Sequence, residues 1–483
     1  MMKSALALSV ALMVFFTTTY TSEVKGQTSA TSRRINVLFI AADDLNTNLG
    51  TYGHSIVKSP NIDRLARRGV RFDRAYAQVP LCNPSRASLL SGFRPETTGI
   101  LGNDIAPRQA MKDTIFLPQL FKNHGYFAAG IGKIFHYVFD DKPSWTISEA
   151  GTTRLDGDLG GYLRAKSDDL PPGVVRAPAQ AGQSLFWKAE DAPDEAFGDG
   201  VIARRVAALM EQSVKDGKPF FIGAGFRKPH LSWNVPKKYF DLYDPEKITW
   251  PKETPDHLAN IPAIARRNAT TIAPLPDEQR REAMRAYYAS ISFMDAQVGV
   301  LLDALDRLKL WDSTVVVFFG DHGFQLGEHG GLYQKMVLFE ESARTPLIVA
   351  SPKVKGSIAS SRLVELVDLY PTITELTGLR APSGMEGTSF VPLLKNPKRA
   401  WKKAAFVTVA RSNPKSVGRS VHTERYRYTE WGDETTAELY DHKTDPHEQR
   451  NLSRDPKQRQ TITELQRLLQ AGWRAAVPKS AEK

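Results

Sequence analysis

Short runs of consecutive apolar residues alternate with stretches of helical periodicity along most of the chain, and no internal repeat interrupts them. That alternation predicts an α/β fold built on a largely parallel sheet. Residues 35–41 read as a buried strand. Ser59-Pro60 opens a helix that Gly69 closes, and a second helix over 115–123 is capped by Gly125 ahead of a strand over 127–131. Met284, Tyr287, Tyr288, Ile291, Met294, Val298, Leu301, Leu302 and Leu305 recur at helical spacing, so 280–309 is predicted as one long amphipathic helix feeding a strand over 314–319. Residues 140–196 and 251–278 read as irregular insertions, the kind of segment that often binds ligands. Beyond residue 385 the pattern changes to short antiparallel strands over 405–409, 419–422 and 426–431, closed by a helix over 462–473.

The ends of the chain divide accordingly. Lys3 precedes an apolar run too short to span a membrane, and a polar, small-residue segment follows it, so residues 1–26 are expected to be a secretory signal peptide. A main domain over 33–385 and a C-terminal subdomain over 386–483 follow. Export predicts a secreted or periplasmic protein with no membrane span after cleavage. Removing 1–26 takes away only Lys3, Lys25 and Glu23, so most of the net charge of +11 belongs to the folded protein. A positive balance suits acidic partners such as sulfated polysaccharides, although the basic residues are interspersed with acids as on an ordinary solvated surface. There is no basic heptad, no Cys/His finger and no Arg-rich tail, which sets nucleic acid aside. One cysteine, Cys82, excludes an internal disulfide and any zinc site with two Cys ligands.

Four predicted strands end directly in chemistry. Residues 35–41 run into Asp43-Asp44, 127–131 into Lys133 and His136, 220–226 into Lys228 and His230, and 314–319 into Asp321-His322. Ligands of open α/β sheets bind outside the carboxyl ends of the strands. An Asp-Asp pair after one strand is usually a turn or a cap. Four such ends converging would gather carboxylates, imidazoles and cations in one place, suited to a metal or an anion. In Pro80-Leu-Cys-Asn-Pro-Ser-Arg86, Asn83 is a good N-cap and Pro84 a good first helical residue. Cys82 is therefore expected just outside a helix N-terminus, where the helix dipole favours an anion, with Arg86 one turn in.

The string Cys82-Asn-Pro-Ser-Arg86 followed by Ala-Ser-Leu-Leu-Ser-Gly resembles the signature of the formylglycine-dependent type I sulfatases. The resemblance extends through Asp43-Asp44, "GKIFHY", "GFRKPHLSW", "GDHGFQLGEHG" with Lys335 after it, "YRYTEW" and "ELYDHKTDP", and is nearest to the iduronate-2-sulfatase-like branch. It implies an alkaline-phosphatase-like fold: a mixed, mostly parallel sheet flanked by helices, with a small C-terminal antiparallel sheet plus helix. It implies a sulfatase that hydrolyses sulfate monoesters, on a sulfated carbohydrate, through formylglycine made from Cys82 by a separate maturase. Asp43, Asp44, Asp321 and His322, together with residue 82, would ligate a divalent cation, Ca²⁺ with Mg²⁺ as the alternative. His322 departs from the Asp-Asn pair of many sulfatases and could instead orient the nucleophile. Arg86 would bond the hydrated aldehyde, Lys133 and Lys335 the sulfate oxygens; His136 would deprotonate the sulfated hemiacetal and His230 protonate the leaving oxygen.

Lys228 either reaches substrate or faces solvent, and Phe324 and Trp233 either shape a sugar subsite or pack in the core. His54, His124, His257, His329, His422, His442 and His447 read as structural or surface residues. Asn268-Ala-Thr and Asn451-Leu-Ser match the glycosylation pattern. Two rival readings remain: a phosphomonoesterase or phosphonate monoester hydrolase of the same fold, and a non-catalytic binder of sulfated polysaccharide.

Overall fold

The computed structural model describes residues 34–150, 172–177, 185–266, 274–352, 354–412 and 415–478. The expected signal peptide and Asn268 lie outside them. Eight successive buried residues, Asn36–Asp43 (β1), can be accommodated only in the middle of a sheet covered on both faces. Val37, Phe39 and Ala41 enter one core while Leu38, Ile40 and Ala42 enter the other, as the period of two requires. The sheet's remaining strands are Val70–Tyr76 (β2), Phe127–Gly132 (β3), Ile147–Glu149 (β4), Phe220–Pro229 (β5), Thr314–Gly320 (β6), Arg344–Ala350 (β7) and Ile358–Glu365 (β8). Their order is β8-β2-β7-β6-β1-β5-β3-β4. Every pairing is parallel except those of β7, which runs against both β2 and β6.

Helices cover both faces. Pro60–Arg68 (α1), Gly198–Lys215 (α4) and the 31-residue Asp277–Arg307 (α5) pack on one; Cys82–Ser91 (α2), Leu117–Asn123 (α3) and Leu369–Thr377 (α6) pack on the other. The long-helix expectation holds. Part of the 140–196 insertion is regular rather than irregular: Ile147–Glu149 joins the main sheet, and Leu185–Glu190 pairs with Val175–Ala177 and Trp233–Pro236.

Toward the C-terminus, Ala405–Ser412 (β9), Lys415–His422 (β10), Tyr426–Trp431 (β11) and Asp433–Asp441 (β12) form an antiparallel sheet in chain order. The fourth strand was not foreseen, and the closing helix spans Arg459–Ala471 (α7). Leu465 of α7 covers one face of this sheet with Val421, Tyr428 and Leu439. The other face, through Val407, Val409 and Trp431, packs on Val337, Leu338 and Phe339 of the main body. Asn451 spends its amide on the backbone of Leu439, Ser453, Asn260 and Ala437, so its glycosylation triplet has a structural use. Among the described residues no helix is long and apolar enough to cross a membrane.

Candidate active site

All four predicted strand ends meet at one edge of the sheet. The β1 end supplies Asp43 and Asp44, and the β6 end supplies Asp321 and His322, with Asp321 N–H donating to the carbonyl of Ala42 at 3.0 Å. Cys82 arrives from α2. That helix starts two residues earlier than expected: Leu81, extended, is the N-cap and Cys82 the first helical residue. Asn83 does not cap, because its side chain donates to the carbonyls of Gly102 and Ile105 at 3.0 and 2.8 Å and is held by that loop. Every residue of α2 is buried, so its N-terminal dipole acts on the site through little solvent. Cys82 is itself only 2% exposed.

Asp43, Asp44, Cys82 and His322 each place one ligand atom within 4.8 Å of all the others. Cys82 Sγ stands 3.5 Å from Asp43 Oδ1 and 3.4 Å from His322 Nε2. Asp321 borders this group, with Oδ1 3.7 Å from His322 Nε2. It also accepts from the backbone of Asp44 and His322 and, through Oδ2, from Arg86 Nε at 2.8 Å. Arg86 donates Nη1 to the carbonyls of Lys133 and Ile134. Its Nη2 is buried, has no hydrogen-bond partner and lies 3.6 Å from Asp43 Oδ1, an unused donor on the nucleophile side.

Two ammonium groups face the carboxylates. Lys133 donates to Asp43 Oδ2, and Lys335 to both oxygens of Asp44. A hairpin absent from the sequence reading, Gln325–Gly327 with Leu332–Gln334, delivers Lys335. His230, partly exposed, places Nε2 3.9 Å from Asp44 Oδ2. Half-buried His136 lies against Phe139, the rings tilted by 38°, and keeps Nδ1 unpartnered.

Burial raises a carboxyl's pKa and neighbouring cations lower it. At Asp43 burial is outweighed by Lys133, His230, Arg86 and Lys335, which hold it well below the usual range. At Asp44 burial, with Asp43 and Asp321 beside it, prevails over Lys335 and His322 and the pKa rises. Burial lowers His322, but Asp321, Cys82 and Asp44 overcome it and push the imidazole up to about 9. A buried carboxyl raised by the carboxylates beside it, at Asp44, with an imidazole drawn toward the cationic form, at His322, makes a donor set that a hard dication fits. His136 moves the other way, to about 4, through burial and then Lys133 and Arg86. His230 is likewise lowered, by burial and then Lys335.

Several supporting residues escaped the sequence reading. Tyr287 of α5 donates its hydroxyl to the Asp44 carbonyl at 2.7 Å and accepts from Asn46 N–H. Asp199, at the start of α4, accepts from the backbone N–H of Arg227 and Lys228 at 2.8 and 2.9 Å. A Gly-Asp-Gly triplet opening a helix was the one available sign of it. Lys228 is buried and donates to the Ser232 carbonyl, so it does not face solvent. Trp233 and Phe324 are fully buried, packed with Tyr287 as core. Of the remaining histidines, His329 pairs with Glu341 at 3.4 Å, His442 with Glu448 at 2.8 Å and His422 with Glu340 at 3.1 Å. Glu448 is already engaged by Arg427 Nε at 2.7 Å, His442 Nε2 at 2.8 Å and Glu340 N–H at 3.0 Å.

Comparison with known proteins accords with this geometry. The sulfatase family pattern matches residues 35–379, and the pattern described as N-sulphoglucosamine sulphohydrolase, C-terminal, matches 327–474. A sulfatase of Formosa agariphila is 34% identical over 90% of this chain and 86% of its own. Human iduronate 2-sulfatase is 30% identical over 89% of this chain and 93% of its own. The crystal structure of the phosphonate monoester hydrolase of Agrobacterium radiobacter superposes with a TM-score of 0.77 over 92% of this chain and 96% of that one, at 21% identity, a likeness of fold. With these sequence matches spanning both the main sheet and the C-terminal sheet, the chain belongs to the sulfatase family and is a sulfuric ester hydrolase.

Proposed function

We propose that this enzyme removes sulfate from a sulfated glycan fragment, with Cys82 matured to formylglycine and a hard divalent cation, Ca²⁺ before Mg²⁺, held by Asp43, Asp44, Asp321 and His322. The observation that carries the reading is the buried group of Cys82, two aspartates and His322, with Arg86 Nη2 unused beside it. Formylglycine at residue 82 would supply a hydrated aldehyde, with one hydroxyl as the nucleophile toward sulfur and a second whose deprotonation would release sulfate. The cation supplies polarisation of a sulfate oxygen and of the attacking hydroxyl. Export through residues 1–26 and maturation by a separate enzyme belong to the same reading.

The chain's own groups divide the remaining work. Arg86 Nη2 bonds the residue 82 hydroxyl. Lys133 and Lys335 leave their aspartates to meet the sulfate oxygens when a cation takes over the carboxylates, and preorganised charges of this kind are the largest catalytic contribution in many enzymes. His136, neutral above about pH 4, accepts the proton that releases sulfate. His230 is kept neutral in the free enzyme by burial and then Lys335. A sulfate bound against Lys335 cancels that repulsion and lets His230 carry the proton given to the leaving sugar oxygen. The named relatives, human iduronate 2-sulfatase among them, support a sulfated sugar as the substrate class.

The test uses enzyme co-produced with a maturase and loaded with Ca²⁺, its conversion read by mass spectrometry of the tryptic peptide ending at Arg86. Desulfated product should appear from at least one member of a panel of sulfated mono- and disaccharides, and chelation should abolish it. A fully converted, Ca²⁺-loaded enzyme that desulfates none of them but cleaves a phosphonate monoester would overturn the reading.

A further inference from the structure

The segment carrying Lys335 is held in a shape its own sequence does not favour. Gln334 and Met336, on either side of it, have φ of 70° and 69°, in the left-handed region that non-glycine residues occupy only where their surroundings hold them. Met336 is gripped at both of its backbone polar groups. Its N–H donates to the Pro80 carbonyl at 3.0 Å, two residues before Cys82. Its carbonyl accepts from Arg411 Nη1 at 2.8 Å.

Arg411 belongs to β9 of the C-terminal sheet. It is 8% exposed, lies 4.9 Å over the ring of Trp431, and donates Nε to the Ile264 carbonyl at 3.3 Å. Nη2 is buried without a hydrogen-bond partner, and among the described residues no carboxylate lies in ion-pair contact with this guanidinium, Glu438 acting on it only from further away. Burying a charge without a counter-ion is costly. An apolar side chain would fill the same space beside Trp431 without that cost. What an arginine alone contributes is a rigid set of donors aimed at main-chain carbonyls, one of them next to Lys335. The same strand reaches the nucleophile loop directly, through Thr408 N–H to the Gln78 carbonyl at 2.8 Å. Strand β9 therefore touches both loops that the reaction requires to be in register.

We propose that Arg411 is a positioning residue for sulfate hydrolysis: it fixes Met336, and through it holds Lys335 against the Cys82 loop. The inference rests on the reading of Lys335 as a group that holds sulfate.

Arg411→Met, Arg411→Lys, Lys335→Ala and the double variant Arg411→Met/Lys335→Ala test it, with inorganic sulfate affinity and kcat/KM read on Ca²⁺-loaded enzyme and folding checked by circular dichroism. Arg411→Met should weaken sulfate and lower kcat/KM by about tenfold or more, since small misplacements of catalytic groups are costly. Arg411→Lys should recover part of both. The double variant should match Lys335→Ala alone, because a residue acting through Lys335 has nothing left to act on. Losses that add in the double variant, or a folded Arg411→Met with unchanged sulfate affinity, would refute the proposal. If Arg411→Met does not fold, the comparison of Arg411→Lys with its Lys335→Ala double decides by the same criterion. If Lys335→Ala itself leaves sulfate affinity unchanged, the reading of Lys335 fails, and the role of Arg411 fails with it.

Discussion

His136 shows how a single side chain can be tuned by its neighbours without touching them. Burial first, and then the charges of Lys133 and Arg86, bring it down to about 4, from an ordinary value of about 6.5. A group that must accept a proton is useful only above its own pKa, so this shift extends the working range toward acid. A dication at Asp43 and Asp44 would repel an imidazolium further, while a sulfate held against Lys133 would offset part of that charge. The acid limb of the kcat profile is therefore expected well below 6.5, measured with a soluble sulfated disaccharide in Ca²⁺-containing buffers. His136→Ala should release one equivalent of alcohol per active site and then stall, with sulfate left on residue 82 in the intact mass. A limb at 6.5 together with an adduct-free His136→Ala would show that another group accepts that proton.

At the scale of elements, the strand ends were legible and their supports were not. Asp43, Lys133, His230 and Asp321 follow apolar runs whose burial is local information, so their convergence could be read from alternation alone. The start of α2 was misread because Asn83 is claimed by the carbonyls of Gly102 and Ile105, a tertiary contact that outweighs a local capping preference. The hairpin strands ahead of Lys335 are three residues each and the fourth strand of the C-terminal sheet opens on polar residues, so neither leaves a periodic trace, while Arg411 depends on carbonyls 75 and 147 residues away. Asp199 belongs with them, since it joins the start of α4 to the end of β5 by accepting two consecutive backbone N–H groups. Asp199→Ala would leave those buried donors unpaired, at about 1–3 kcal/mol each. The expected result is a lower melting temperature and a reduced kcat, as the turn bearing His230 loosens. An Asp199→Ala enzyme with wild-type stability and wild-type kcat would mean that β5 holds His230 unaided.

Across the whole molecule, the C-terminal sheet is joined to the main body by buried charge as well as by apolar packing. Lys402, 3% exposed, donates to Glu365 Oε2 at 2.8 Å and to both oxygens of Asp368 at 2.7 Å, while Arg94 holds Glu365 with two bonds. Glu365 also accepts from the N–H of Phe406 on β9 at 3.0 Å, so one carboxylate ties the end of β8 to the C-terminal sheet. Burial opposes its ionisation, but Arg94 and Lys402 hold its pKa far below the usual range. Glu340 is lowered in the same sense to about 2, where burial is outweighed by His442, His422 and Arg344. A carboxyl whose folded pKa is depressed contributes stability that is complete above the unfolded value of about 4.3 and is lost as pH falls toward the folded one. Asp368 is raised by burial and by Glu365 despite Lys402, so it contributes in the opposite sense and softens the dependence without reversing it. Asp295 and Glu328, both pushed up to about 7 by burial, also contribute in that opposite sense between about pH 7 and 4, so the melting temperature should fall steeply only below about pH 4. Lys402→Met removes one cation from between two buried carboxylates, and breaking a buried pair in this way costs about 3–5 kcal/mol. In the variant a carboxyl protonates at higher pH, so acid has less left to remove. The gap in melting temperature between wild type and Lys402→Met should be wide at pH 7 and narrow toward pH 3, followed by calorimetry in matched ionic strength. A gap that stays constant over that range would show that Lys402 acts by packing, with its charge playing no part in how the two sheets are joined.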